Sequence, residues 1–172
     1  MTDSVVLVGF MGAGKTAVGR RVAAALGLLL TDTDALIGDR FGPIPDLFET
    51  RGERGFRDLE REVVLAELEV AQAEPRVLSL GGGAVTIDDV RQALTRLPHV
   101  VWLDAPPEVL FRRASSEPGS RPLARDEAVF RALYEQRAPL YREVATIVVR
   151  DDGEQPADVL AARVLTALAA PA

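Results

Sequence analysis

Cysteine is absent from the 172-residue chain. Disulfides and thiolate metal sites are therefore excluded. Histidine occurs once, as His99 after Pro98 and before an apolar stretch, where it reads as a loop or strand-edge residue. Lysine also occurs once: Lys15 stands alone, and the other 19 of the 20 basic residues are arginine. No apolar run approaches the roughly 18–20 residues that a membrane span needs. The net charge of −6 lacks the basic excess of a general nucleic-acid binder. Chemistry must then run on carboxylates, arginines, Lys15 and a metal.

What is present begins with an apolar content of 48%, which supports a globular fold. The length suits one domain, residues 1–172, with one core. A strand starting almost at Met1 predicts no signal peptide. The expectation is a soluble, cytoplasmic protein, monomeric, with small-molecule substrates and no nucleic-acid or membrane partner.

The organising stretch is Gly9-Phe10-Met11-Gly12-Ala13-Gly14-Lys15-Thr16, which matches the phosphate-binding pattern G-x-x-x-x-G-K-[ST] throughout. An apolar strand, Ser4 to Val8, precedes it, and a helix running to Leu26 follows. Glycines let such a loop curl so that backbone N–H groups form an anion nest. The helix N-terminus adds positive potential. In this pattern Lys15 reaches the β- and γ-phosphates and Thr16 binds Mg²⁺.

The rest of the chain alternates strand and helix. Further strands are expected at Leu28–Thr31, Arg76–Leu80, Val100–Leu103 and Thr146–Val149. Helices are expected to about Phe41, from Pro45 to Gly52, over Glu53–Ala73, Asp88–Leu97, Pro107–Ala114 and Asp126–Arg137, and from Pro156 to about Ala169. Pro139 should stop the sixth of these. The Ser, Gly and Pro content of Ser115–Pro122 predicts a mobile lid over about 114–124. Continuously apolar strands suggest helices on both sheet faces. The fold class is α/β, a three-layer parallel sheet with right-handed crossovers.

Ligands of such sheets gather at the strand carboxyl ends. The phosphate loop, Asp32 with Asp34, and Gly81-Gly82-Gly83 all fall there. In an extended segment Asp32 and Asp34 would point to one side, where Mg²⁺ could relieve their repulsion. A capping role for Asp34 and a turn role for Asp32 are the plainer alternative. Arg57 has a plain alternative too, as an ion pair with Glu53 or Glu60. Arg137 at a helix end could simply complement the dipole. The triple glycine reads equally as a turn or as bare backbone for a ligand. Arg121, in the lid, could carry a mobile charge to phosphates.

In order along the chain, the phosphate loop, Asp32-Thr33-Asp34, Gly52-Glu53 with Phe56-Arg57 and Glu60, Gly81-Gly82-Gly83-Ala84-Val85, Val101-Trp102-Leu103, Arg121-Pro122-Leu123 and Arg137-Ala138-Pro139-Leu140-Tyr141 resemble the shikimate kinase family. The resemblance covers about Val5 to Val149. It implies a nucleoside-monophosphate-kinase-like fold with five parallel strands and ATP-dependent phosphorylation of the shikimate 3-hydroxyl. By matching position it implies Asp34 as the base at the reacting hydroxyl and Asp32 as a water-mediated Mg²⁺ ligand beside Thr16. Arg57 and Arg137 would hold the substrate carboxylate, with Gly81, Gly82 and Gly83 lining the ring. Gly12, Ala13, Gly14, Lys15, Thr16 and Ala17 would hold ATP phosphates. Arg121 would approach from the lid, and Arg113 and Pro156 would flank adenine. Thr16-Ala17 stands where the family more often has Ser-Thr, Leu80 where it has Thr, and the lid is slightly longer than usual. A gluconate or other small-metabolite kinase, and a nucleotide-binding module without catalysis, are the competing readings. The intact lysine and carboxylates disfavour the second.

Overall fold

The structure is a computed structural model that describes residues 3–116, 126–153 and 155–170. Its framework follows from five short, mostly apolar strands. β1 (Val5–Val8) is buried at every position. β3 (Arg76–Ser79) and β4 (Val100–Asp104) flank it, while β2 (Leu29–Asp32) and β5 (Ile147–Arg150) form the edges. The order is β2-β3-β1-β4-β5, and every pairing is parallel. The connection from β1 to β2 runs one way across the sheet, and those from β3 to β4 and β4 to β5 run the other. Right-handed crossovers in opposite directions put helices on opposite faces.

On one face α1 (Lys15–Leu26) packs against α7 (Ala157–Ala169). On the other, α3 (Ile44–Ala73), α4 (Asp88–Leu94), α5 (Pro107–Ser116) and α6 (Glu127–Val144) make successive contacts. A smaller apolar cluster of Ile37, Leu47, Phe56, Leu59 and Val63 joins α3 to α2 (Thr33–Phe41). Among the described residues no helix is long and apolar enough to cross a membrane.

The expected elements differ in instructive places. The break expected at Gly52 is present: α3 is two helical segments joined across a kink at Gly52, whose φ of 69° and ψ of 177° are not helical. The two expected helices are thus two pieces of one kinked rod. α6 does not stop before Pro139 but runs on to Val144. Proline removes one helical hydrogen bond to Glu135; both residues lie on the exposed side, where water can satisfy the carbonyl. α4 ends at Leu94 rather than Leu97. The edge strands are not covered on both sides: Leu29 is 74% exposed.

Candidate active site

Two glycines shape the phosphate loop. Gly12 and Gly14 have φ of 83° and 81°, in the left-handed region that side chains disfavour. A Cβ on Gly12 would also lie 2.5 Å from the Leu110 carbonyl oxygen, so α5 packs directly on the loop. Gly14 caps α1, and its carbonyl receives the Val18 N–H at 2.9 Å. Ala13 is buried, and Ala17 lies in the first turn of α1. Lys15 Nζ donates to the carbonyls of Gly9 at 2.8 Å and Phe10 at 3.1 Å. Phe10 anchors the loop below: it is 1% exposed and meets Phe130 and Tyr134 edge to face.

Asp32 and Asp34 do not share an extended segment. Asp32 ends β2 and Thr33 begins α2. The capping residue is Asp32, whose Oδ1 accepts the N–H groups of Asp34 at 3.0 Å and Ala35 at 3.1 Å. Its Oδ2 accepts the Thr16 hydroxyl, and Ser79 Oγ lies 3.4 Å from the same hydroxyl. Thr16, Asp32 and Ser79 therefore form an oxygen-only cluster beside the phosphate loop. Hard oxygen donors of this kind suit Mg²⁺, which prefers carboxylate, hydroxyl, phosphate and water. Asp34 points elsewhere, toward the glycine turn: a Cβ on Gly81 would lie 2.5 Å from its Oδ1.

The glycine turn after β3 is held from several sides. The buried Thr33 hydroxyl accepts the Gly81 N–H at 3.1 Å. The Tyr141 hydroxyl donates to the Gly82 carbonyl. Thr86 Oγ1 donates to the Gly83 carbonyl at 2.6 Å. Arg57 reaches the turn from α3, just past the Gly52 kink. Its guanidinium pairs with the buried Glu60, stays 3.9 Å from Glu53, and lies 5.4 Å from the Phe56 ring centroid. The ion pairs and the placement at the turn coexist.

Arg137 comes from α6. It is 6% exposed, and its guanidinium sits 5.5 Å from the Phe10 ring centroid. Its Nε has no hydrogen-bond partner among the described residues. Burial pushes the guanidinium below its ordinary value, and Arg57 adds to this; Tyr141 and Glu60 work the other way. Burying a cation without full hydrogen bonding is costly unless an anion joins it.

The structure thus brings Gly12, Ala13, Gly14, Lys15, Thr16, Asp32, Asp34, Arg57, Gly81, Gly82, Gly83 and Arg137 to the carboxyl end of the sheet. Arg113 and Pro156 lie toward β5: Arg113 pairs with Asp151, and Pro156 caps α7. Arg121 and most of the expected lid lie outside the described residues. Ser79 and Asp151 had no signal of their own in the sequence, and Thr33 and Tyr141 appeared there only as members of matched runs, with no role assigned. Each acquires its place through long-range contacts, although Thr33 lies inside the Asp-Thr-Asp run.

The shikimate kinase family model matches residues 11–169. A shikimate kinase of Ruegeria pomeroyi is 45% identical over 170 residues, covering 96% of this chain and 85% of that protein. One of Symbiobacterium thermophilum is 41% identical, covering 92% of each chain. Among solved structures, the shikimate kinase from Acinetobacter baumannii in complex with shikimate superposes with a TM-score of 0.89 at 37% identity, over 98% of this chain and 93% of that one. A matched length of this order, carried on the same five-stranded parallel sheet, is not a matter of one phosphate loop. The chain belongs to the shikimate kinase family.

Proposed function

We propose that this protein transfers the γ-phosphoryl group of ATP to the 3-hydroxyl of shikimate, giving ADP and shikimate 3-phosphate. The observation that carries the acceptor assignment is Arg137: a buried guanidinium whose Nε has no partner among the described residues, within electrostatic reach of Arg57 and of Tyr141, which holds the glycine turn. That arrangement calls for an anion with a flat, hydrogen-bonding group, and a carboxylate supplies it.

The roles follow from position. Backbone N–H groups of Gly12 to Ala17 hold the phosphates. Lys15, now resting on the Gly9 and Phe10 carbonyls, moves its ammonium onto the β- and γ-phosphates. Thr16 and Asp32 would hold Mg²⁺, which when bound draws off negative charge on the phosphate oxygens. Arg57 and Arg137 orient the carboxylate, and the glycine turn admits the ring without a side chain in the way. Asp34 accepts the hydroxyl proton as the oxygen bonds to the γ-phosphorus and the bond to ADP breaks. Arg121 brings charge to the transferring group, and Arg113 and Pro156 flank adenine. Closure by the lid excludes water, which would otherwise hydrolyse ATP.

The test is ADP release in a coupled spectrophotometric assay, with Mg-ATP alone and with shikimate, gluconate or a nucleoside monophosphate. Stimulation by shikimate alone is expected. Stimulation by gluconate instead would transfer the same scaffold to another acceptor.

A further inference from the structure

Asp151 has no role in the assignments above, yet it is 4% exposed at the carboxyl end of β5. Its backbone N–H extends the sheet ladder by donating to the Asp104 carbonyl at 2.8 Å. Its two carboxylate oxygens then face different ways. Oδ1 accepts the N–H of Gly153 at 2.9 Å and of Gln155 at 3.4 Å, which closes the turn leading into Pro156 and α7. Oδ2 lies 2.8 Å from Nη1 of Arg113, on the last turn of α5. Arg113 Nη2 also donates to the Gly153 carbonyl at 3.3 Å.

The turn itself is tightly specified. Gly153 has φ +109°, and a Cβ there would lie 2.6 Å from Val109 Cγ2. α5 is thus packed against the turn that Asp151 organises. Burial pushes the Asp151 carboxyl up, but the N–H donors and the Arg113 guanidinium outweigh it and hold the group below its ordinary value.

We infer that Asp151 is a positioning residue for the nucleotide: one oxygen orders the turn that ends in Pro156, the other fixes Arg113, and together they set the width of the slot between them. This rests on the proposed placement of adenine between Arg113 and Pro156. An anion is required rather than any acceptor, because Oδ2 faces a guanidinium. A purely structural clamp between α5 and β5 would share the geometry but would not distinguish ligands with a base from ligands without one.

The experiment measures ADP and inorganic tripolyphosphate affinity by calorimetry for the full chain and for Asp151→Asn, Arg113→Gln and the double variant. Asparagine keeps the shape and the Oδ1 acceptor but removes the charge. The expected result is ADP binding weakened about tenfold by Asp151→Asn, the size of one charge-assisted contact. Tripolyphosphate binding is expected to be unchanged, and Asp151→Asn to add little once Arg113 is Gln. In steady state KM for ATP should rise more than kcat falls, with KM for shikimate unmoved. Should Asp151→Asn not fold, Asp151→Glu, which keeps the charge but displaces it, is scored on the same ratio of ADP to tripolyphosphate. Equal loss for both ligands, or additive effects with Arg113→Gln, would overturn the inference. Loss by neither aspartate variant would overturn it as well. Failure of the wild type to prefer ADP over tripolyphosphate, or of Arg113→Gln to weaken ADP, would instead overturn the adenine placement beneath it.

Discussion

The Arg57 guanidinium fills the space that a β-carbon on Gly83 would need. Gly83 has an ordinary φ of −93°, so its backbone conformation does not demand glycine. The demand comes from across the site, from a cation held against the turn by Glu60 and by the Phe56 ring. Gly81 is constrained in the same way by carboxylates: a Cβ there would lie 2.5 Å from Asp34 Oδ1 and 2.7 Å from Glu60 Oε1. These glycines make room for the charges across the site.

Gly83→Ala should therefore displace Arg57 rather than unfold the turn. A flexible side-chain end yields more readily than packed backbone, so the stability loss should fall at the low end of the ~1–3 kcal/mol typical of overpacking. KM for shikimate should rise about tenfold, with KM for ATP little changed. Steady-state kinetics with a thermal melt check this. A large melt shift with unchanged shikimate kinetics would mean the turn, not Arg57, is the sensitive part.

Arg137→Leu should separate stability from function. It removes a buried charge whose Nε has no partner among the described residues, so the apparent Tm should stay level or rise. It also removes the proposed charge-assisted contact to the substrate carboxylate, and KM for shikimate should rise by about ten- to a hundredfold, from about 1.5–3 kcal/mol. A clear fall in Tm would show that the cation over Phe10 contributes net stability in the ligand-free protein.

Lys15→Met and Asp34→Asn should abolish most turnover while the far-UV spectrum stays unchanged. Loss of one pre-organised positive donor costs about 10²–10³ in rate. Loss of a general base costs about 10²–10⁴. Near-normal phosphorylation by either variant in the coupled assay would refute its assigned role.

Stability should fall on the acid side with a contribution from Asp151. Its carboxyl is held below its ordinary value in the fold, so its contribution is present above the unfolded carboxylate value of about 3.9. It is lost as pH drops through the lower folded value. Thermal melts from pH 2 to pH 6 should show wild type above Asp151→Asn near pH 6 and the two converging toward pH 2. Parallel curves would argue that the charge of Asp151 contributes nothing to the fold.

Much was legible in the sequence because its cause is local. The phosphate loop depends on glycines at fixed spacing ahead of Lys15 and Thr16, and the eight residues Gly9 to Thr16 carry the entire signal. The apolar periods of β1, α1 and the second part of α3 are local too, and so is the strand–helix alternation that dictates a parallel sheet. Other features required the assembled chain. Whether Pro139 ends a helix depends on which side of α6 meets water, and local rules cannot say. Asp32, not Asp34, caps α2, because β2 runs to Asp32, one residue past the expected strand end at Thr31. The edge exposure of Leu29 depends on strand order, which no strand encodes by itself. The burial of Arg137 and Glu60, and the clasp of Asp151 on Arg113, join residues distant in sequence. Their chemistry is set by desolvation and by partners that only the folded sheet brings within a few ångströms.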